Sequence, residues 1–326
     1  MRIDYIKNRF TYYYVALALF VGSLAMPFVL PIHLGIDMTG GTQSEFQFTG
    51  EFQKNQVESV VSKISSQQEF ASKSAINTTS VYKVSGENLF IVEVGYNTRK
   101  SLTDQELDTL KTDFQNQLTG ELKTSANATL VRYQNIGESF GDYIKKTAYL
   151  TLAMIILVIS LYIAWAFRGA VEGYTSFSFG AVTAVSLFHD VVIAFGLYVV
   201  ASSFFPEYKI DTFFITAMLT VLGYSINDTI VIMDRIRSNL LIPANKKLDF
   251  GILVNNSIND TITRSMFTSL TVVIVLVALY LFGPQAIHGF TLALIFGTLV
   301  GTYSSVCIAA PLLYDLTRMQ QKQQKQ

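Results

Sequence analysis

Six runs of about twenty or more mostly apolar residues dominate this sequence: Tyr12 to Leu34, then about 147–167, 174–201, 210–233, 263–283 and 287–313. At ~1.5 Å rise per residue, each helix is long enough to cross a hydrocarbon core of ~30 Å. Half of the 326 residues are hydrophobic and 15% are charged, which is the composition of a membrane protein and not of a soluble enzyme. Ser23 and Ala25 imitate a signal-peptide cleavage site, but the apolar run continues through Phe28, Val29 and Leu30. That is beyond a usual signal-peptide core, so an uncleaved first span is expected.

Arg2, Lys7 and Arg9 precede the first span. The connections Arg168–Gly173, Asp234–Arg264 and Arg318 onward hold most other basic residues near the spans, whereas Ser202–Lys209 and Gly283–His288 hold one lysine between them. The positive-inside rule then gives a six-span chain with both termini cytoplasmic.

Between the first two spans, from Thr39 to about Lys146, the chain turns polar. Gln43–Phe48 alternates like a strand, and Lys54–Phe70 has apolar residues at 57, 60, 61 and 64, the helical period. Ile76–Val84 and Leu89–Val94 read as strands joined by the hairpin signal Ser85-Gly86-Glu87-Asn88. Thr103 and Glu106 form a capping box for a helix to Leu118, and Ala128–Tyr133 is a last strand. This βαββαβ order is the ferredoxin-like pattern, and its position after a span with a cytoplasmic start puts it on the outer side. The expected division is residues 1–36 (N-terminus and first span), 37–142 (an extracytoplasmic α+β domain), 143–316 (spans two to six) and 317–326 (a polar cytoplasmic tail). The tail, rich in Gln and Lys, is expected to fray.

Charge within the apolar runs is the functional signal, because hydrocarbon penalises an ionised side chain by at least ~2.5–3.5 kcal/mol. Span three contains Phe188-His189-Asp190, with Asp190 near or just beyond the bilayer midplane. Span four contains GYSINDTIVIMDRIR, residues 223–237. Helical spacing puts Tyr224, Asp228 and Arg235 on one face, and Asn227 and Asp234 on its neighbour. Antiparallel packing of spans three and four would let Asp190, Asn227 and Asp228 line one polar track, opening to the cytoplasm through Arg235. The plainer readings are a register-fixing carboxylate for Asp190, interhelical glue for Asn227, interfacial hydration for Asp228, and end-of-helix charges for Asp234 and Arg235. His33 and His288 read as solvated interfacial residues, and Gly297 with Gly301 as a close-packing pair in span six. Gly35 to Thr42, reading GIDMTGGT, suggests a tight turn where span one meets the outer domain.

Several classes are disfavoured. Net charge is zero, so nothing points to nucleic acid. A lone cysteine, Cys307, and three scattered histidines offer neither a disulfide framework nor a metal site, and no cofactor is expected. The glycines near Gly40 lack the lysine of a phosphate-binding loop, and no nucleophile–His–acid set stands out, so an enzyme is not expected.

GIDMTGG after the first span, Phe188-His189-Asp190 in the third and GYSINDTIVIMDRIR in the fourth resemble the signatures of the SecF branch of the SecD/SecF family, in the RND superfamily. Met38 departs from the family's usual Phe, and Ile136–Gly141 only loosely matches its motif before span two. The resemblance implies half of a twelve-span unit, completed by SecD, in the bacterial cytoplasmic (inner) membrane. That unit would use the proton-motive force to help an unfolded polypeptide leave on the outer side. The implied partners are the SecYEG channel and SecA, with YajC and YidC as further associates. The implied ion pathway is Asp190, with Asp228, Arg235, Asn227 and His189, and the hinge motif is Gly35, Asp37, Gly40 and Gly41. The competing readings are half of an RND-type small-molecule or lipid exporter, and a membrane scaffold that transports nothing.

Overall fold

The computed structural model describes residues 3–71, 76–84, 88–96, 103–168, 176–205, 207–243 and 248–323. Among the described residues, six helical segments are long and apolar enough to cross a membrane: α1 (Arg9–Val29), α6 (Glu138–Ala166), α7 (Ser176–Phe204), α8 (Thr212–Leu241), α9 (Phe250–Phe282) and a last one made of α10 (His288–Ser304) and α11 (Ala310–Gln323). The chain is a multi-pass membrane protein. Between α1 and α6 lie α2 (Ile36–Thr39), β1 (Gly41–Gln47), α3 (Lys54–Ser65), α4 (Gln68–Ala71), β2 (Ile76–Lys83), β3 (Leu89–Tyr96), α5 (Asp104–Ala126) and β4 (Thr129–Ile136).

The four strands form one antiparallel sheet in the order β2-β3-β1-β4. Period-two alternation puts Thr42, Ser44 and Phe46 of β1 on the buried face, opposite Val94, Val92 and Phe90 of β3. Val57, Val61 and Ile64 of α3 and Leu110, Phe114 and Leu118 of α5 cover that face. The capping box at Thr103 and Glu106 forms as expected. The helix it starts runs past Leu118 to Ala126, where Asn127 closes it at φ 47. The hairpin signal at 85–87 lies outside the described residues.

In the bundle, α7, α8 and α10 are the most buried helices, while α1, α6 and α9 expose aliphatic faces such as Leu150, Leu157, Ile274 and Leu281. Lipid is as apolar as leucine, so close backbone approach must hold these helices together. A Cβ on Gly297 would lie 2.1 Å from the Val221 side chain, and one on Gly196 would lie 2.3 Å from Ser23. The close packing expected of Gly297 and Gly301 is therefore present, against α8.

Further element ends differ from expectation. The polar stretch 234–264, expected as a connection, is mostly helix: α8 continues to Leu241 and α9 begins at Phe250. Ile236 and Asn239 extend the buried face of α8, and Leu253, Val254, Ser257 and Ile258 extend that of α9. At the C-terminal end α11 runs to Gln323, with Thr317 buried and Gln320 accepting from Ser178 Oγ at 2.7 Å, and the last three residues of the tail expected to fray lie outside the described residues. Between α10 and α11 the last segment widens into a π-helical turn, Ser305–Ala309. Pro311 explains it: it has no N–H to return to Cys307, and its ring crowds that carbonyl.

Candidate functional site

Asp190 is fully buried in α7, between α8 and α10. Ser225 Oγ of α8 donates to its Oδ2 at 2.5 Å, and Ser304 Oγ of α10 donates to the same oxygen at 2.8 Å. His189 Nδ1 lies 2.9 Å from Oδ1, and its Nε2 lies 3.2 Å from the Tyr303 hydroxyl. The Phe20 ring stacks on His189 at 6.2 Å. Among the described residues no lysine or arginine forms an ion pair with Asp190.

Asp228 is also buried, one α8 turn beyond Ser225. Ser269 Oγ of α9 lies 3.3 Å from its Oδ2. Ser269 in turn receives the Tyr224 hydroxyl at 2.7 Å and the Thr302 hydroxyl at 2.8 Å. The two carboxylates thus sit in neighbouring polar clusters, and consecutive residues of α10 reach both.

Two expected members of the track lie elsewhere. Asn227 is exposed on the outside of α8, because the helical period that buries Ser225 and Asp228 turns position 227 outward. Arg235 pairs with Asp260 of α9, Nη2 to Oδ2 2.8 Å, on a partly exposed surface. The helical extensions of α8 and α9 bring Asp260 to it. Asp234 takes the plainer role, 3.8 Å from Arg237. His33 and His288 are not simply solvated: His33 Nδ1 meets Ser202 Oγ at 3.0 Å, and His288 Nε2 meets the Gly283 carbonyl at 3.2 Å.

The glycine-rich motif forms a pinned joint. The Thr212 N–H donates to Asp37 Oδ2 at 2.6 Å, and the Thr212 hydroxyl donates to the same oxygen. Gly35 N–H donates to Ile210 O, and Ile210 N–H to His33 O. Gly40 and Gly41 take φ of 76° and 152°, and a Cβ on Gly41 would lie 2.5 Å from Val94 O. A Cβ on Gly141 would lie 2.6 Å from Met38 O, so the start of α6 rests on α2. The hinge motif at Gly35–Gly41 thus lies in a packed contact between the sheet unit and the start of α8, and Gly141 packs on Met38 of α2.

Beside it, Lys209 Nζ pairs with Glu93 Oε2 at 2.5 Å and donates to Ser80 Oγ at 3.2 Å. Burial disfavours the Lys209 ammonium, but Glu93 and Tyr82 together more than offset that and raise its pKa. Asp211, which caps α8 at Phe214 N–H, is pushed up to about 6 by burial, with Asp37 and Glu93 adding to the effect. A cavity of about 300 Å³ between sheet and bundle is lined by Asp37, Glu93, Lys209 and Asp211 among others.

Sequence reasoning missed Ser225, Ser269, Thr302, Tyr303 and Ser304. Hydroxyls in apolar runs carry little signal by themselves. For the three in the last span the one clue was Thr302-Tyr303-Ser304-Ser305 directly after the Gly297/Gly301 pair, in a helix that had to pack closely.

A six-helix membrane bundle with buried carboxylates held by hydroxyls, and a small sheet unit pinned to its fourth helix, defines a multi-pass protein with a polar interior. The family model for the protein export membrane protein SecD/SecF, C-terminal, matches residues 116–319, and the chain belongs to that family. It is 31% identical over 319 residues to the protein translocase subunit SecF of Endomicrobium trichonymphae, covering 96% of this chain and 91% of the relative. It is 31% identical over 323 residues to that of Petrotoga mobilis, covering 99% of each. A crystal structure of SecDF, a translocon-associated membrane protein from Thermus thermophilus, is similar with a TM-score of 0.73 and 25% identity. The likeness covers 98% of this chain and 39% of that longer one. A second SecDF crystal structure, in a super-membrane-facing form, gives a TM-score of 0.67 at 25% identity.

Proposed function

We propose that the chain is an accessory subunit of Sec protein export and not an enzyme. It pairs with a SecD-type protein in the bacterial cytoplasmic membrane, both termini inside, and uses the proton-motive force to promote release of an unfolded polypeptide on the outer side. Its sheet unit is read as a ferredoxin-like domain on that side. The full-length SecF relatives and the SecDF structures support this family role. SecYEG and SecA, with YajC and YidC, belong to the reading as partners.

The observation that carries it is Asp190, buried within a span and held by hydroxyls and a histidine, with no lysine or arginine paired to it among the described residues. Each proton crossing the membrane releases ~2.3 kcal/mol per 100 mV. Protonation removes the buried charge and turns an acceptor of two hydroxyl bonds into a group with a proton to donate. With the charge gone, the bonds from Ser225 and Ser304 weaken, the two hydroxyls are free to turn to other acceptors, and the α7–α8–α10 contact changes. Because α8 is bonded at its start to Asp37, a shift of α8 is passed to the sheet unit. A charge change biasing two packings is the general form of such a switch. Asp228, His189, Arg235 and Asn227 are the further members proposed for this unit, with Arg235 and Asn227 acting at its surface.

The partner-facing side supports the same reading. Thr216, Thr220, Gly223 and Asn227 form an exposed polar and small stripe along α8, where lipid contact would favour aliphatic residues. It suits a second helix bundle. The test is preprotein release from vesicles with and without the chain. The reading expects the chain's stimulation to vanish when an ionophore collapses the proton gradient. Stimulation that persists unchanged would refute it.

A further inference from the structure

Three consecutive residues of α10 reach both carboxylate clusters. Thr302 contacts the Ser269–Asp228 cluster, Tyr303 contacts His189, and Ser304 contacts Asp190. A hydroxyl has one proton to donate. Yet each serine and threonine in this set has two acceptors in reach, one across to the polar cluster and one back on its own helix. For Ser304 these are Asp190 Oδ2 at 2.8 Å and Gly301 O at 3.2 Å. For Thr302 they are Ser269 Oγ at 2.8 Å and Thr298 O at 2.7 Å. For Ser269 they are Asp228 Oδ2 at 3.3 Å and Ser265 O at 2.8 Å. The segment ends at the π-helical turn, where the regular helical ladder is already broken and a small rotation costs least.

We propose that Thr302, Tyr303 and Ser304 form a hydroxyl switch that links the charge states of Asp190 and Asp228. The inference rests on the reading that these carboxylates exchange protons. An ionised Asp190 holds the Ser304 proton toward it and so fixes the rotation of this turn. That rotation decides whether Thr302 supports Ser269, and through it Asp228. Neutralising one carboxylate releases its hydroxyl to the helix carbonyl and changes the donor supply at the other. Thr302, Tyr303 and Ser304 are positioning residues in this scheme, not proton carriers. The other titratable groups facing the pair are His189, Tyr303 and, beyond it, Cys307 on the Asp190 side, and Tyr224 with the more distant Arg264 on the Asp228 side.

The test is pH-titrated infrared difference spectroscopy of the full chain in lipid nanodiscs, with the carboxyl bands assigned by Asp190→Asn and Asp228→Asn. In the wild type, Asp228→Asn is expected to move the Asp190 midpoint by roughly half to one pH unit. Adding Thr302→Val should abolish most of that shift, and Thr302→Ser, which keeps the hydroxyl, should restore it. Ser304→Ala should abolish the reciprocal shift of the Asp228 band. An undiminished shift in Thr302→Val and Ser304→Ala, or no shift from Asp228→Asn at all, overturns the link while leaving the proton reading standing. If neither carboxyl band titrates, the proton reading fails and takes the link with it.

Discussion

Asp37 and Thr212 are joined through one carboxylate oxygen, which receives both the backbone N–H and the hydroxyl of the first residue of α8. The glycine-rich joint before the sheet is thereby fastened to the helix that carries Asp228. Asp37→Ala removes both bonds, while Asp211 still caps the helix at Phe214. Net hydrogen bonds to a charged group contribute ~1.5–3 kcal/mol. Amide exchange at Thr212 is expected to quicken roughly ten- to hundredfold, with the rest of α8 unchanged; wild-type exchange there would mean the joint is held by something else.

Asp211 gives a pH dependence of defined sign. Its folded pKa of about 6 lies above its ordinary value of 3.8. The folded state keeps the proton longer than the unfolded one, so stability falls as pH rises from about 4 to about 6 and is flat above that. Asp211→Asn keeps a capping oxygen for Phe214 and removes the titration. Thermal unfolding in detergent between pH 4 and 7 should show a smaller decline for Asp211→Asn than for the wild type.

Gly297→Ala tests the close approach of α10 to α8. The new methyl would meet Val221, and overpacking of this kind costs ~1–3 kcal/mol. Gly223→Ala, at a position with open space around it, is the matched control and should leave the unfolding midpoint near the wild-type value.

Asn227→Leu changes the exposed stripe of α8 and nothing inside the bundle. The chain is expected to fold as before, and its recovery with a SecD-type partner in mild detergent to fall severalfold. Equal recovery would remove this face from the proposed contact.

The membrane spans were legible because length and hydropathy carry that information directly, and the strand order followed from alternation between Gln43 and Tyr133. Where the spans ended was less legible. Asp234 and Arg237 look like the start of a loop, but Ile236 and Asn239 keep the helical period and Arg235 finds Asp260 across the gap. Asp190 and Asp228 stood out because charge is costly in an apolar run. Asn227 stood out as a polar amide beside them and was misplaced, since spacing fixes relative faces on one helix and not which face meets a neighbour. Thr302 and Ser304 were invisible for the opposite reason: a hydroxyl is cheap anywhere in a helix, and only the register of α10 against α7 and α9 brings them to the carboxylates.

The most direct test is Asp190→Asn in proteoliposomes holding the chain, its SecD-type partner and the export channel, with a proton gradient imposed. The amide keeps the size and much of the hydrogen bonding of the carboxylate but cannot exchange a proton. Gradient-driven release of the translocating polypeptide should fall to the level seen without a gradient, with the complex still assembled. Release at the wild-type rate would contradict a proton role for Asp190.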